Sequence, residues 1–423
     1  KYVCTPSIII LSLRRLHHIF ILYYIVYCAI CHVPYTEVCP YIIRIYILEG
    51  CDSVSLSVAI VVPTHINIYN HKMADITENI CPMLNKDQVE DILKNDYGFI
   101  NGKIQELDGY DDKNYHITEV EKCIEEIEFP TDGIIIKFIN SIDSKNLLLL
   151  DAQTKLTQYL EYSGIYCPVP VFNKYGNSYR SHIINDKTHA VRVYKYIKGE
   201  TMNKVKINSE ISTNFGFYVG RLTSVLKKFD HGGFHRNHLW ALEKCPEVLR
   251  FVEVFDQEKQ RQTIITILNK FQFDVLLNAD QLEKSVIHED LNMNNIIMKD
   301  NTILGVIDIG DVVYSFTIFD FAVALCYLIL HEFNDYNAKL SNVQIKNFVE
   351  AYEKQYRILN DFEVSIIHTC ICARICQSLV LGKKSSLRDL SNSYILSTQK
   401  NGWRALEELL NIGKDKFNML LKH

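Results

Sequence analysis

The chain has 423 residues, 48% of them hydrophobic, which is enough to bury a large core in about two lobes. Its net charge of −5, without any basic stripe, excludes a general nucleic-acid-binding protein. The 13 cysteines are an odd number and lack repeated C-x-x-C pairs. They indicate free thiols and a cytoplasmic location rather than a disulfide framework.

The first 72 residues differ in composition from the rest of the chain. They are rich in Ile, Tyr, Cys and His, and the first methionine is Met73. We therefore expect residues 1–72 to be a non-native upstream or disordered segment. A signal peptide or short anchor is the alternative, because Arg14 and Arg15 precede the apolar run Leu16–Cys31. That run is short for a span of about 20 residues, so we expect no membrane segment.

Two strands are predicted at Lys103–Leu107 and Tyr115–Val120, with the polar loop Asp108–Asn114 between them. The loop has no G-x-G-x-x-G pattern. Its consecutive aspartates, Asp111 and Asp112, would repel a bound polyphosphate unless they pointed away from it or capped the loop. The loop therefore indicates a specialised lid rather than a glycine-rich phosphate loop.

The next predicted strand, Gly133–Ile139, is β-branched and carries a single lysine, Lys137. Taken alone, this residue would be interpreted as a solvated lysine of an exposed strand. A helical pattern, Asn146–Leu156, follows and contains Asp151. The segment Ala190–Lys198 then alternates apolar and polar residues before Gly199, which predicts an extended segment.

The remaining chain is mostly helical in pattern. An apolar stripe at helical spacing predicts a core-facing helix at Ile207–Lys228. The loop Asp230–His238 holds three histidines, but they lack zinc-site spacing, and we expect no metal there. A buried helix opens at Phe319, where Asp320 is expected to bind backbone groups or nearby side chains. Further helices are predicted at Val343–Tyr356, Phe362–Leu381 and Gly402–Leu421.

The strongest functional signal lies in the segment Val286–Tyr314. Two short apolar runs, Ile296–Met298 and Ile303–Ile307, flank a polar turn and predict a β-hairpin. Asn295 precedes the first run and Asp308 follows the second, so the hairpin would bring them together. Amide and carboxylate oxygens are ligands that Mg²⁺ prefers in proteins.

Asp290 completes this set, in an H-x-D turn after His288. An aspartate in this position can accept the proton of a substrate hydroxyl while Mg²⁺ neutralises the phosphate charge. Asp290, Asn295 and Asp308 would each be an ordinary turn or strand-end residue if they stood alone. In this order, and bracketed by strands, they predict a phosphoryl-transfer site.

These motifs resemble the signature of the aminoglycoside phosphotransferase and choline kinase superfamily, through His288–Asn295 and Ile307–Asp311. Within this superfamily, the sequence resembles the hydroxylysine kinase family in three segments: Tyr110–Tyr115, His288–Asn292 and Ile309–Tyr314. The similarity extends from about Leu84 to the C-terminus. It implies an α+β, protein-kinase-like fold of two lobes, with a small antiparallel β lobe (73–197) and a larger, mainly helical lobe (198–423).

The resemblance also implies roles for residues of the first lobe. Lys137 would orient the nucleotide phosphates, and Asp151 would steady it from the following helix. The family has glutamate at the position of Asp151, and aspartate is one methylene shorter. Lys195, Tyr196 and Ile197 would form the hinge whose backbone binds the purine.

The implied reaction is transfer of the terminal phosphate of GTP, or of ATP, to a hydroxyl of 5-hydroxy-L-lysine. Asp311, Trp240 and Tyr314 are candidate partners for the ammonium of such a substrate. Two alternatives stay open at this point. One is a kinase for another hydroxylated amine, such as choline or an amino alcohol, and the other is an inactive kinase-like binding module.

Overall fold

The computed structural model describes residues 9–13, 44–48, 56–61, 80–122, 132–337, 339–387 and 397–422. The chain divides into two compact units, 1–78 and 79–423. Three antiparallel strands form a sheet in the first unit: β1 (Ile9–Leu13), β2 (Arg44–Leu48) and β3 (Leu56–Val61), with β3 in the middle. The basic and apolar segment at 14–31 lies outside the described residues.

The N-terminal lobe of the second unit is built on an antiparallel sheet. Its strands are β4 (Phe99–Ile100), β5 (Lys103–Leu107), β6 (Lys113–Thr118), β7 (Glu121–Lys122), β8 (Ile134–Phe138), β9 (Pro170–Val171), β10 (Arg180–Ile184) and β11 (Lys187–Lys195). The main sheet has the order β10-β11-β8-β6-β5, and β9 also pairs with β11. Strands β4 and β7 form a separate short pair.

Strand β8 shows how the sheet positions its one lysine. Ile134, Ile136 and Phe138 are fully buried, and they alternate with the partly exposed Ile135 and Lys137. Because successive side chains of a strand point to opposite faces, the apolar set packs into the lobe's core and Lys137 lies on the other face. The predicted strand is therefore confirmed, with its lysine directed away from the hydrophobic core.

The second lobe combines short strands with most of the helices. Its strands are β12 (Glu200–Thr201), β13 (Lys284–Ile287), β14 (Ile296–Lys299), β15 (Thr302–Val306) and β16 (Val313–Phe316). They form a three-stranded sheet, β12-β14-β15, and the pair β13-β16. The helices of the unit are α1 (Lys86–Ile92), α2 (Leu147–Tyr162), α3 (Ser209–Leu226), α4 (Glu258–Asp274), α5 (Thr317–Glu332), α6 (Asn342–Gln355), α7 (Asp361–Ser386), α8 (Ser397–Ile412) and α9 (Lys414–Leu420).

Helix α7 is the central helix of this lobe. It is long and apolar enough to cross a membrane, but 94% of its most apolar window is buried inside the fold, as in the core helix of a globular domain. Cys370, Cys372 and Cys376 are free and buried within it. The prediction that these cysteines act as small hydrophobic residues is confirmed.

The α+β, two-lobed architecture is confirmed, and most predicted elements differ from the observed ones only at their ends. One prediction is wrong: the pattern Gly402–Leu421 is not a single helix. The chain breaks at Gly413, which has a φ of 73°, and α9 begins immediately after it. Glycine adopts this left-handed conformation without the steric cost that other residues carry, and it therefore ends helix α8. The apolar periodicity continues past this helix end, which is why the pattern predicted one helix.

Helices α3 and α6 pack closely through a glycine. A methyl group added to Gly216 would clash with the backbone carbonyl of Phe348. We therefore expect Gly216→Ala to lower the free energy of unfolding by about 1–3 kcal/mol, because a backbone atom cannot move aside as a side chain can. Thermal or urea unfolding measures this. The control is Gly232→Ala, whose new methyl would meet only a Leu148 side-chain atom at 3.8 Å. Equal stability of both variants would contradict the close approach.

Candidate active site

The loop between β13 and β14 is held in place by Asp320 on the first turn of α5. One carboxylate oxygen of Asp320 accepts a hydrogen bond from the His288 backbone N–H at 2.8 Å, and the other accepts from the Glu289 N–H at 2.7 Å. Glu289 has a φ of 69°, a conformation that costs free energy in a non-glycine residue. Asp320 thus fixes a strained loop, and the structural role predicted for it is confirmed.

Asp290 lies at the end of this strained turn with both carboxylate oxygens engaged. Its Oδ2 accepts hydrogen bonds from the side-chain amides of Asn292 at 2.7 Å and Asn295 at 2.9 Å. Its Oδ1 accepts from Arg374 Nη2 at 3.2 Å. Burial, and then the negative charge of Asp311, raises the pKa of Asp290 to about 7, against the opposing charge of Arg374. A carboxylate with a raised pKa is a stronger base than an ordinary aspartate.

The predicted hairpin is confirmed, and it places Asn295 beside Asp308. Strands β14 and β15 pair through the turn Asp300-Asn301, and the Ile307 N–H donates to the Asn295 carbonyl at 2.9 Å. Asp308 is the next residue and has a left-handed φ of 60°. The amide nitrogen of Asn295 donates to Asp290, which leaves Oδ1 as the atom that Asn295 can offer a cation.

These two residues suit Mg²⁺. The cation takes oxygen ligands and keeps room for water and phosphate oxygens, and one amide oxygen with one carboxylate leaves that room. The Asp308 carboxylate also accepts from the Gly310 N–H at 3.3 Å, which fixes its orientation. When bound, Mg²⁺ would neutralise charge on the transferred phosphate.

Lys137 reaches this site from the other lobe. Its Nζ donates to Asp308 Oδ1 at 2.9 Å, although the two residues are 171 positions apart in the chain. A second carboxylate oxygen, Asp112 Oδ2, lies 3.1 Å from the same nitrogen. Burial opposes the charge of Lys137, but the two carboxylates outweigh it and raise the pKa of the ammonium above its usual value. The two carboxylates therefore favour the charged form of the lysine, which is directed at the hairpin.

Asp151 does not hold Lys137, and this part of the prediction is wrong. Its carboxylate pairs with Lys155 one helical turn away at 2.7 Å and with His231 at 3.2 Å. The side chain of Asp151 lies on the half-exposed face of α2, whereas Lys137 already has two closer carboxylates. One of these two closer carboxylates belongs to Asp112, of the loop between β5 and β6.

The predicted hinge follows β11. Lys195 is the last residue of that strand, and the Tyr196 N–H donates to the Gly133 carbonyl at 3.1 Å. The Tyr196 ring stacks on His116 with 4.0 Å between ring centroids, and Ile197 is buried. The chain then enters β12 in the other lobe. Residues 195–197 thus form the extended connection between the lobes, and purine binding there stays a prediction.

Arg374 is a site residue that the sequence did not predict. It is buried on α7 and donates to the Trp240 carbonyl at 2.8 Å and to Gln377 at 3.0 Å as well as to Asp290. Its guanidinium lies 5.6 Å from the centroid of the Tyr327 ring. A single arginine in an otherwise apolar helical run was the available signal, since a buried charge requires a charged partner.

We expect Arg374→Gln to lower kcat by about 10- to 100-fold, the effect of losing a charge-assisted hydrogen bond. Removing the positive charge should also raise the pKa of Asp290. Asp290 would then lose its proton only at higher pH. The acid limb of the plot of kcat/KM against pH should therefore shift to higher pH. Steady-state kinetics across pH measure both effects.

Two further variants separate these effects from misfolding. Arg374→Lys retains the charge and should keep the pH profile near that of the wild type while kcat falls. Lys383→Gln, further along α7, should change neither quantity. An Arg374→Gln enzyme with an unshifted acid limb and unchanged kcat would contradict the role of the arginine.

The groups considered for an ammonium, Asp311, Trp240 and Tyr314, lie in the same lobe as Asp290. His238 Nε2 lies 2.9 Å from Asp311 Oδ1. Burial opposes the charge of Asp311, but His238 and the charge of Arg236 lower its pKa below the usual range, so it is ionised. The Trp240 ring makes an edge contact with Tyr110 at 5.2 Å between centroids. Tyr314 stacks on His235 instead.

Comparison with known proteins agrees with this geometry. Residues 109–362 match the profile of the phosphotransferase enzyme family. The chain is 24% identical over 355 residues to hydroxylysine kinase of Bos taurus, covering 79% of this chain and 91% of the relative. It is 25% identical over 358 residues to hydroxylysine kinase of Xenopus laevis, covering 79% and 92%.

Two solved structures share the fold. An amicoumacin kinase in complex with AMP-PNP and Ca²⁺ has a TM-score of 0.60 and 18% identity, covering 80% of this chain and 97% of that chain. A microcompartment-associated aminopropanol kinase has a TM-score of 0.57 and 14% identity, covering 78% and 99%. The two-lobed kinase-like fold is thus shared with these enzymes. The chain belongs to the phosphotransferase enzyme family and is a small-molecule phosphotransferase with an alcohol group as acceptor.

Proposed function

We propose that this protein transfers the terminal phosphate of GTP to the hydroxyl of 5-hydroxy-L-lysine, with Mg²⁺, in the cytoplasm. One observation carries the phosphoryl-transfer assignment: Lys137 of the β lobe contacts the Asp308 carboxylate beside Asn295 and Asp290. The names of the relatives support hydroxylysine as the acceptor. The free cysteines of the described residues support a reducing compartment.

Asp290 acts as the base in this proposal. Its carboxylate is held by two amides and one guanidinium, so the oxygen that takes the proton has a fixed position. Burial raises its pKa towards neutrality, which matches a base that works near pH 7. The acceptor hydroxyl would lie within hydrogen-bond reach of this oxygen and in line with the phosphate.

Lys137, Asn295 and Asp308 bind the phosphate end of the donor. The lysine ammonium would exchange its contact with Asp308 for phosphate oxygens, while Asp308 and Asn295 hold the cation. The backbone of residues 195–197 would bind the purine. Backbone groups leave no side-chain signature, so GTP is proposed over ATP on the resemblance to hydroxylysine kinases alone.

The acceptor would lie beside Asp290, within reach of Asp311 and Trp240 of the same lobe. Asp311 is ionised and about one quarter exposed, so it offers a charge for an ammonium group. The Trp240 ring offers a π face, although Arg374 lies 5.5 Å from its centroid. These groups match a substrate that carries amines as well as a hydroxyl.

A substrate panel tests the proposal. Purified protein is given radiolabelled GTP or ATP with 5-hydroxy-L-lysine, L-lysine, choline or 1-amino-2-propanol, and the phosphorylated product is measured. We expect transfer to hydroxylysine and none to lysine, the matched compound without a hydroxyl. Faster transfer to choline or aminopropanol would replace the acceptor assignment. Nucleotide binding without transfer to any compound would indicate a binding module.

A further inference from the structure

The loop between β5 and β6 contributes a carboxylate to Lys137. Asp112 Oδ2 lies 3.1 Å from Lys137 Nζ, and both side chains are mostly buried. The other oxygen, Oδ1, accepts from the Asn140 backbone N–H at 2.7 Å and from the Asn140 side-chain amide at 3.1 Å. Three contacts to one carboxylate fix it in a single orientation, with one oxygen left for the lysine.

Asn140 is itself fixed, so the position of Asp112 does not depend on the loop alone. Its Oδ1 accepts from the backbone N–H groups of Ile142 and Asp143 at 3.1 and 3.0 Å, and its Nδ2 also donates to the Asp143 carboxylate at 2.9 Å. Asn140 lies two residues beyond the end of β8, the strand that carries Lys137. Asp112 is therefore tied to the same rigid strand as the lysine it contacts.

The same contacts continue into the helical lobe. Asp143 Oδ1 lies 3.4 Å from Arg236 Nη1, and Arg236 donates to the carbonyls of Gly310 and Val312. Gly310 donates to Asp308, which accepts from Lys137. A closed ring of polar contacts thus joins the loop, β8 and the turn that contains Asp308 and Gly310.

We propose that Asp112 is the positioning residue for Lys137, in the role that Asp151 does not fill. Asp308 cannot serve this purpose during the reaction, because a divalent cation on its carboxylate would take the charge that attracts the lysine. Asp112 is the other carboxylate that pairs with Lys137 among the described residues. The proposal rests on the proposed function only for the statement that Lys137 binds nucleotide phosphates.

The location of Asp112 couples the alignment of Lys137 to the position of the loop. The Tyr110 hydroxyl donates to the Leu381 carbonyl on α7 at 2.9 Å, and its ring meets Trp240. The loop is therefore anchored to both lobes at once. The alignment of the lysine therefore depends on the position of the loop, since the acid belongs to the loop rather than to α2.

Asp112→Asn tests the proposal, because asparagine keeps an oxygen for Asn140 and removes the charge beside Lys137. The first readout needs no nucleotide: limited acylation with an N-hydroxysuccinimide ester, followed by peptide mass spectrometry. We expect several-fold faster modification of Lys137 in Asp112→Asn, because the amino group loses the ion pair that holds it in the mostly buried site. The controls are Asp151→Asn and Asp108→Asn, which should leave Lys137 labelling unchanged.

The second readout is the affinity of the protein for non-hydrolysable GTP and ATP analogues in the presence of Mg²⁺, measured by calorimetry. We expect Asp112→Asn to weaken nucleotide binding by about 10- to 100-fold, with partial recovery in Asp112→Glu and an unchanged melting temperature. Unchanged labelling and affinity would overturn the proposal. Tighter binding by Asp112→Asn would also overturn it, by showing that the carboxylate competes with the phosphates.

These two measurements do not depend on the acceptor. If hydroxylysine is not phosphorylated but Asp112→Asn still exposes Lys137 and weakens nucleotide binding, the acceptor assignment fails and the role of Asp112 stands. If hydroxylysine is phosphorylated and Asp151→Asn, rather than Asp112→Asn, exposes Lys137, the role of Asp112 fails and the proposed function stands.

Discussion

Replacing Asp290 with asparagine should lower kcat by about 10²–10⁴-fold while the affinity for nucleotide changes little. Asparagine preserves the size of the side chain but cannot accept the proton of the substrate hydroxyl. The residues proposed to contact the nucleotide are others, Lys137 and 195–197, so binding should persist. Steady-state kinetics and calorimetry with a non-hydrolysable nucleotide measure the two quantities separately.

The control for this variant is Asp300→Asn, an exposed aspartate in the turn of the β14-β15 hairpin. It should retain the wild-type kcat. Circular dichroism and the melting temperature check that Asp290→Asn folds, since Asn292, Asn295 and Arg374 would lose their charged partner. A folded Asp290→Asn protein with a rate near that of the wild type would refute the base assignment.

Asp308→Asn should lower kcat/KM by on the order of 10²–10³-fold, because Mg²⁺ would lose its proposed carboxylate ligand and would neutralise less of the charge on the transferred phosphate. Unlike Asp290→Asn, this variant should also lose affinity for the metal–nucleotide complex. Titration of Mg²⁺ at fixed nucleotide should show a higher metal requirement.

Asn295→Asp is the informative companion to Asp308→Asn. It retains an oxygen ligand for the cation and should preserve metal binding better than Asp308→Asn does, but it removes an amide that donates to Asp290. A wild-type metal requirement in Asp308→Asn would show that the cation binds elsewhere. Together the two variants separate metal binding from the orientation of the base.

The local elements of the site were predictable because each has a local cause. The alternation of β8 places Lys137 opposite the buried face, and two apolar runs around a polar turn predict the hairpin that joins Asn295 to Asp308. Asp320 at a helix start was predicted to bind backbone groups or nearby side chains, and it binds the backbone N–H groups of His288 and Glu289.

The contacts that were missed join distant parts of the chain. Arg374 is 84 positions from Asp290, and no local pattern states which carboxylate a lone helical arginine will meet. The acid for Lys137 was sought on the next helix, but Asn140 after β8 captures the Asp112 carboxylate and directs its second oxygen to the lysine. Aspartate at position 151 is one methylene shorter than the glutamate of the family, which put its pairing with Lys137 in doubt. It did not indicate that Asp112 would pair with the lysine.

A structure of the protein with Mg²⁺ and a non-hydrolysable GTP analogue tests the central claim most directly. We expect one cation bound by Asn295 Oδ1 and the Asp308 carboxylate at about 2.0–2.1 Å, with Lys137 Nζ on the phosphate oxygens. The terminal phosphate should face Asp290. A nucleotide bound away from Lys137, or a cation that contacts neither Asn295 nor Asp308, would contradict the account.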